Sequence, residues 1–108
     1  MAEALKKHGN ECFQKGKLDA AIEAYSECIC LEPAVASYKT NRAMCYKKRE
    51  NWPAVVADAR SALELEESNI KAHYLLGLAL VELGVEWAAR NPTQPTPASA
   101  AKPRAAQH

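Results

Sequence analysis

The chain has 108 residues, of which 48% are hydrophobic and 25% are charged, and its formal net charge is +1. This is the composition of an ordinary globular protein with room for one domain, and so small a net charge argues against nucleic-acid binding. Because no apolar core follows the first basic residues and no apolar stretch is long enough to span a bilayer, we expect no secretory signal and no membrane span, and a location in the cytoplasm or the nucleus.

Hydrophobic residues recur at helical spacing through most of the chain. The pattern predicts five helices, near residues 2–15, 18–32, 36–50, 53–67 and 69–83. In the second of them, Ile22, Tyr25 and Ile29 form one apolar stripe. Asn69 can cap the last helix and Gly84 closes it, so that residues 85–90 are predicted to begin a short partner helix. The sequence therefore predicts an all-α fold.

The helices group into a repeat. Small residues recur at a period of 34, as in Gly9, Ala43 and Gly77 and again in Ala20, Ala54 and Ala88. This period is typical of helix–turn–helix repeats, because small side chains let paired helices approach closely. On these positions, over residues 2–91, the sequence resembles the tetratricopeptide-repeat (TPR) family. The resemblance implies a TPR helical solenoid of about two and a half repeats. It forms one domain over 1–91, with repeats at 2–35, 36–69 and a truncated 70–91.

Charge divides between the two helices of each repeat. The first helices have nine basic and four acidic residues, whereas the second helices of the first two repeats have one basic and eight acidic residues. In a stack of repeats the first helices line the concave surface, so the pattern predicts a basic groove suited to an anionic peptide. Three of the basic residues, Lys47, Lys48 and Arg49, are expected simply to face solvent. The other six are Lys6, Lys7, Lys15, Lys39, Arg42 and Lys71.

Four polar residues of the first helices form a candidate binding site, which we call the clamp quartet. Lys6 and Asn10 lie four residues apart and share a helix face. Asn41 lies inside the third predicted helix, where asparagine is a mediocre helix former, and Lys71 opens the fifth. Converging lysine and asparagine side chains offer hydrogen-bond donors to carboxylates. The quartet resembles the dicarboxylate clamp of TPR proteins that hold the EEVD carboxyl-terminal tails of cytosolic heat-shock chaperones, which implies the same partner here.

The same resemblance assigns a fifth clamp position and an apolar pocket. The fifth position is commonly arginine and here is Leu75. An apolar residue at this position resembles the co-chaperones, especially those of plants, that join the repeats to a ubiquitin-ligase U-box. By this resemblance Ser37, Met44, Tyr74 and Leu75 border a pocket for the apolar part of the tail. For Met44 and Tyr74, packing in the core is an equal alternative.

The repeat pattern fails after Ala89. From residue 92 onward the sequence has four prolines and no acidic residue, which predicts a disordered tail over 92–108. No U-box follows the repeats in this sequence, so we expect no enzymatic activity of this chain. We also expect no cofactor and no metal site, because the cysteines form no CxxC pair and the histidines show no zinc spacing.

Three alternatives stay open. Another clamp-bearing adaptor of the family would hold the same tails, although Leu75 argues against it. A structural assembly domain would use the incomplete third repeat. The helix at 69–83 has too many apolar side chains for one buried stripe, so it would self-associate or bind a partner helix. An enzyme would have to use His8 and Cys12, which share a helix face, but a buried thiol is more often a packing residue.

Overall fold

The computed structural model describes residues 1–93, and every regular element in that part of the chain is a helix. The helices are α1 Ala2–Gln14, α2 Leu18–Leu31, α3 Ala36–Lys48, α4 Trp52–Leu65 and α5 Ile70–Arg90. Each packs against the next, and α3 also contacts α5. The predicted all-α repeat fold is confirmed. Of the predicted tail at 92–108, residues 94–108 lie outside the described part of the chain. No helix within residues 1–93 combines the length and the hydropathy of a membrane span.

The helices of the first repeat, α1 and α2, approach closely through small residues. A Cβ atom on Gly9 would stand 2.8 Å from Cε1 of Tyr25, which leaves no room for a side chain. Ala21 and Cys28 on α2 are completely buried. The period of small residues in the sequence therefore reflects close packing between the helices of a repeat.

The turns of the first two repeats each contain a residue whose backbone is in the left-handed conformation. Gly16 has a φ of 78° between α1 and α2, and Glu50 has a φ of 58° between α3 and α4. Glycine adopts this conformation without steric cost, whereas a side chain adds about 1–2 kcal/mol of strain. After the next turn, Asn69 caps α5 as predicted, because its side-chain oxygen accepts from the Ala72 backbone N–H at 2.8 Å.

The fifth helix is longer than the sequence predicts. It continues through Gly84 and ends at Arg90. An internal glycine costs a helix only about 1 kcal/mol relative to alanine, and no turn-forming residue follows until Asn91. There the Asn91 side-chain N–H donates to the Trp87 carbonyl oxygen at 2.9 Å. The predicted partner helix at residues 85–90 is therefore wrong, and within residues 1–93 the third repeat consists of α5 alone.

One apolar cluster holds α5 against the second repeat. Its buried members are Ala43, Trp52, Val55, Ala59, Leu75 and Ala79. Leu75 is the largest completely buried side chain. Burial of one leucine contributes about 1.5–3 kcal/mol, so Leu75 is a principal anchor of α5. The position of Lys71, one turn earlier on α5, depends on this contact.

Candidate peptide-binding groove

The first helices of the three repeats, α1, α3 and α5, lie side by side. The Lys48 ammonium on α3 stands 5.9 Å from the centroid of the Phe13 ring on α1. Between α3 and α5, Lys71 Nζ donates to Asn41 Oδ1 at 3.3 Å. We call the surface that α1, α3 and α5 form together the candidate groove.

Asn10 is oriented by a buried tyrosine of the neighbouring helix. The Tyr25 hydroxyl donates to Asn10 Oδ1 at 2.5 Å. Tyr25 is buried, and its ring rests against Gly9. Because the amide oxygen of Asn10 is already occupied, its NH2 group remains to donate to a ligand. The side chain is exposed, so a ligand can reach it.

The side-chain amide of Asn41 is also held by its oxygen, in this case by Lys71. Its Oδ1 accepts from the Lys71 ammonium, a contact between residues 30 positions apart in the chain. The NH2 group of Asn41 again remains as a donor, and the Lys71 ammonium keeps two further N–H bonds. Both asparagines thus have their oxygens engaged within the protein, which leaves a site of donors and positive charge.

The structure brings part of the clamp quartet into direct contact. Asn41 and Lys71 touch, whereas Lys6 and Asn10 stand one turn apart on α1. Lys6 is partly buried. The spacing in the sequence was enough to place Lys6 and Asn10 on one helix face. The contact between Asn41 and Lys71, which belong to different repeats, could be seen only in the structure.

The residues predicted to border an apolar pocket divide into two groups. Tyr74 is 57% exposed, and Ser37 and Met44 are partly buried, with Met44 packed against the α3–α5 cluster. Leu75 is completely buried in that cluster. The structure therefore corrects the prediction for Leu75: it is a core residue with no surface to offer a peptide, because its side of α5 faces α3 and α4.

Lys47 is a groove residue that the sequence reasoning missed. Its ammonium lies 5.5 Å from the centroid of the Tyr74 ring, so it is held over an aromatic face rather than extended into solvent. Lys48 and Arg49 are exposed, and Arg49 forms an ion pair with Asp19. The signal for Lys47 was its spacing, since it follows Met44 by three residues and shares that face of α3.

Arg42 does not contribute to the groove, contrary to the prediction. Its Nε and Nη2 donate to the two carboxylate oxygens of Asp58 at 2.8 and 2.7 Å, and its Nη1 donates to Ser26 Oγ at 3.0 Å. The hydrogen bond to Asp58 raises the pKa of the Arg42 guanidinium. Arg42 therefore ties α3 to α2 and α4.

Three of the four cysteines, Cys12, Cys28 and Cys45, are buried, and Cys30 is exposed. His8 Nε2 and Cys12 Sγ lie 3.6 Å apart, so the pair foreseen from the sequence does meet, but Cys12 is buried. Burial raises the pKa of the Cys45 thiol to about 11 and also raises the pKa of the Cys28 thiol. Thiols of this kind stay protonated and unreactive. Among residues 1–93, no three His, Cys, Asp or Glu side chains group closely enough to hold a metal ion.

Curated proteins similar to this chain include a plant ubiquitin ligase. The Arabidopsis thaliana protein "E3 ubiquitin-protein ligase CHIP" is 52% identical over 82 residues, which is 76% of this chain and 30% of that protein. Rat "Sperm-associated antigen 1" is 35% identical over 79 residues, which is 73% of this chain and 9% of that protein. The chain thus spans less than a third of these relatives. The resemblance to a plant ligase of this kind is confirmed, whereas no family model matches the chain.

Solved structures with the same fold include domains with bound peptides. The second TPR of Spaghetti (RPAP3), bound to the HSP90 peptide SRMEEVD, has a TM-score of 0.75 and is 34% identical, with 83% of each chain covered. The second TPR domain of human RPAP3, in complex with the HSP70 peptide SGPTIEEVD, has a TM-score of 0.74. It is 36% identical, with 77% of this chain and 69% of that chain covered. With its 34-residue period, its five packed helices and these relatives, the chain belongs to the tetratricopeptide-repeat family.

Proposed function

We propose that this chain is the interaction module of a co-chaperone and binds the EEVD carboxyl-terminal tails of cytosolic heat-shock chaperones. The observation that carries the proposal is the contact between Lys71 and Asn41. It joins two helices of different repeats and holds the Asn41 amide by its oxygen, so that the NH2 group is free to donate. The Tyr25 hydroxyl does the same for Asn10.

The chemistry of a terminal aspartate fits these donors. Such a residue carries two carboxylates, one on its side chain and one at the chain end, and both only accept hydrogen bonds. The Lys6 and Lys71 ammonium groups have only donors, and the NH2 groups of Asn10 and Asn41 are free to donate beside them. Hydrogen bonds between charged partners are about twice as strong as neutral ones. The two solved RPAP3 relatives were bound to peptides ending in EEVD, which supports the same ligand class.

The wider role that we propose is that of the plant ligase relative, in protein quality control in the cytoplasm. In this role the chain selects chaperones by their tails, and the ligase activity belongs to a U-box. The match to that relative covers the repeats. The 108-residue chain itself should therefore make no ubiquitin chains when it is mixed with an activating and a conjugating enzyme. Ubiquitin chains formed by the purified protein would contradict this assignment.

The decisive experiment is a titration of a fluorescent peptide ending in EEVD. We expect binding, and we expect amidation of the terminal carboxylate to weaken it by about 1.5–3 kcal/mol, the scale of a hydrogen bond between charged groups. Lys71→Ala and Asn41→Ala should each weaken binding. Lys6→Ala should weaken binding as well, and Lys17→Ala is its matched control, because Lys17 carries the same charge at an exposed position outside α1, α3 and α5. Equal affinity for the free and the amidated peptide would refute the proposal.

A further inference from the structure

Within residues 1–93, one face of α5 lacks the partner that the equivalent face of α1 has. Gly77 occupies the position in α5 that Gly9 occupies in α1, because two periods of 34 residues separate them. Gly9 is buried against Tyr25 of α2, and a Cβ on it would be 2.8 Å from that ring. A Cβ on Gly77 would have nothing within 4 Å, and the same holds for Gly84. On α1 this face is covered by an antiparallel helix, so the repeat itself indicates the kind of element that fits on α5.

The uncovered face is apolar along the whole helix. At 3.6 residues per turn, seven residues of α5 fall on one side: Ile70, Tyr74, Gly77, Val81, Gly84, Val85 and Ala88. The large ones among them are well exposed, Ile70 by 83%, Val81 by 62% and Val85 by 60%. All four residues of α5 with a formal charge lie outside this set, namely Lys71, Glu82, Glu86 and Arg90. A helix face without charge and with exposed aliphatic side chains is typical of an interface.

This face is complementary to itself when a second copy lies antiparallel to it. In the register that places Gly77 opposite Val81 of the partner copy, Tyr74 lies opposite Gly84 and Ile70 lies opposite Ala88. Ile70, Tyr74 and Val81 then each meet a small residue, Val85 lies opposite His73 at the edge of the face, and two-fold symmetry repeats every contact. The packing of Tyr25 on Gly9 shows the same aromatic–glycine contact between antiparallel helices within this chain.

We infer that two copies of this chain associate through the exposed face of α5, as an antiparallel helix pair with two-fold symmetry. Each copy contributes the same surface, so the contact is isologous. The clamp quartet is not part of this face, although Tyr74 stands at the edge where the face meets the candidate groove. The inference does not depend on peptide binding.

Sedimentation and light scattering of the full chain test the association. We expect wild type to have twice the mass of one chain, and Val81→Arg to have the mass of one chain with unchanged helical circular dichroism. The matched control is Ala89→Arg, which adds the same side chain at an exposed position of α5 outside the face and should remain a dimer. A wild-type chain that stays a monomer overturns the inference and leaves this face for a helix of another protein. A dimer that survives Val81→Arg overturns it as well.

A disulfide experiment tests the register independently of mass. In a Cys30→Ser background, which removes the exposed cysteine, Tyr74→Cys and Gly84→Cys are combined in one chain. The two positions are about 15 Å apart along a helix, too far for a bond within one copy. Oxidation should therefore link two copies covalently, and neither single variant should be linked. Absence of the covalent dimer from the double variant would refute the proposed register.

Discussion

The Tyr25 hydroxyl donates a hydrogen bond to Asn10 Oδ1 and so connects the core of the first repeat with the candidate groove. The ring of Tyr25 fills the space over Gly9, where no side chain fits. Its hydroxyl reaches past the helix to the asparagine and fixes the direction of the amide. The residue that packs the two helices together thus also orients a group of the clamp quartet.

Removal of this hydroxyl should weaken peptide binding more than it weakens the fold. Tyr25→Phe keeps the ring and frees the Asn10 amide to rotate, so we expect affinity for an EEVD peptide to fall by about 0.5–1.5 kcal/mol, the net value of one hydrogen bond. Fluorescence anisotropy and thermal melting measure the two effects. Tyr38→Phe is the control, because the buried Tyr38 donates its hydroxyl to Glu32 instead. Unchanged affinity in Tyr25→Phe would show that Asn10 needs no such support.

A carboxylate in place of the Asn41 amide should abolish the anion site without harming the fold. In Asn41→Asp the oxygen can still accept from Lys71, but the two donors are lost and a negative charge faces the peptide. We expect binding to be weaker than in Asn41→Ala, while stability stays within about 1 kcal/mol of wild type, as for an exposed ion pair. Calorimetric titration checks the affinity. Asn51→Asp, which adds the same charge at the helix cap of α4, should bind as wild type does.

The two left-handed turn residues should respond in opposite directions to substitution. Gly16→Ala introduces a side chain at a φ of 78°, and we expect a loss of about 1–2 kcal/mol in the free energy of unfolding. Glu50→Gly relieves the same strain but makes the unfolded chain more flexible, so the gain should be smaller, at most about 1 kcal/mol. Urea unfolding measures both variants. Shifts of the same sign would contradict the strain assigned to Glu50.

Alkaline pH should destabilise the protein through two buried groups. Burial is the main reason that the pKa of Cys45 rises from 9.0 to about 11 and that of Tyr25 from 10.0 to about 12. In the unfolded chain these groups lose their protons first, so rising pH favours unfolding. Their contribution is complete below pH 9 and is lost as the pH rises through 11 and 12.

Urea unfolding across this pH range measures the decline in the free energy of unfolding. Cys45→Ala should show a shallower decline above pH 9, the ordinary value for the thiol. The comparison uses the slope with pH, so a lower stability of the variant does not affect it. A free energy that stays constant in wild type over this range would contradict the assignment.

Much of the architecture was predictable because it depends on local patterns. The small residues at Gly9, Ala43 and Gly77 gave the period, and the cap at Asn69 gave the start of α5. The end of α5 was not predictable from Gly84, because a single glycine weakens a helix without ending it unless a turn residue competes. In this chain the first turn-forming residue after Gly84 is Asn91.

The errors in the predicted binding site, at Leu75 and Arg42, have a different cause, because they concern contacts between helices. Leu75 and Tyr74 are neighbours in sequence, and only the position of α4 decides that Leu75 is buried while Tyr74 is exposed. Arg42 looked like a groove residue because its partner Asp58 lies in another helix. The sequence did contain a signal, because Asp58 interrupts the apolar stripe of Val55 and Ala62 on α4. A carboxylate buried there requires a cation.

Among residues 1–93, most of the exposed large apolar side chains lie on α5 at one end of the stack, whereas at the other end only Met1, directly before α1, is of this kind. Head-to-tail contact would bury the apolar end of one copy against the polar end of the next, so open-ended growth into a filament is disfavoured. Contact between like ends closes after two copies. The resulting particle would be bivalent, with one clamp quartet in each half. A partner that carries two tails would then be held at a high effective concentration, and avidity would exceed the affinity of either groove alone.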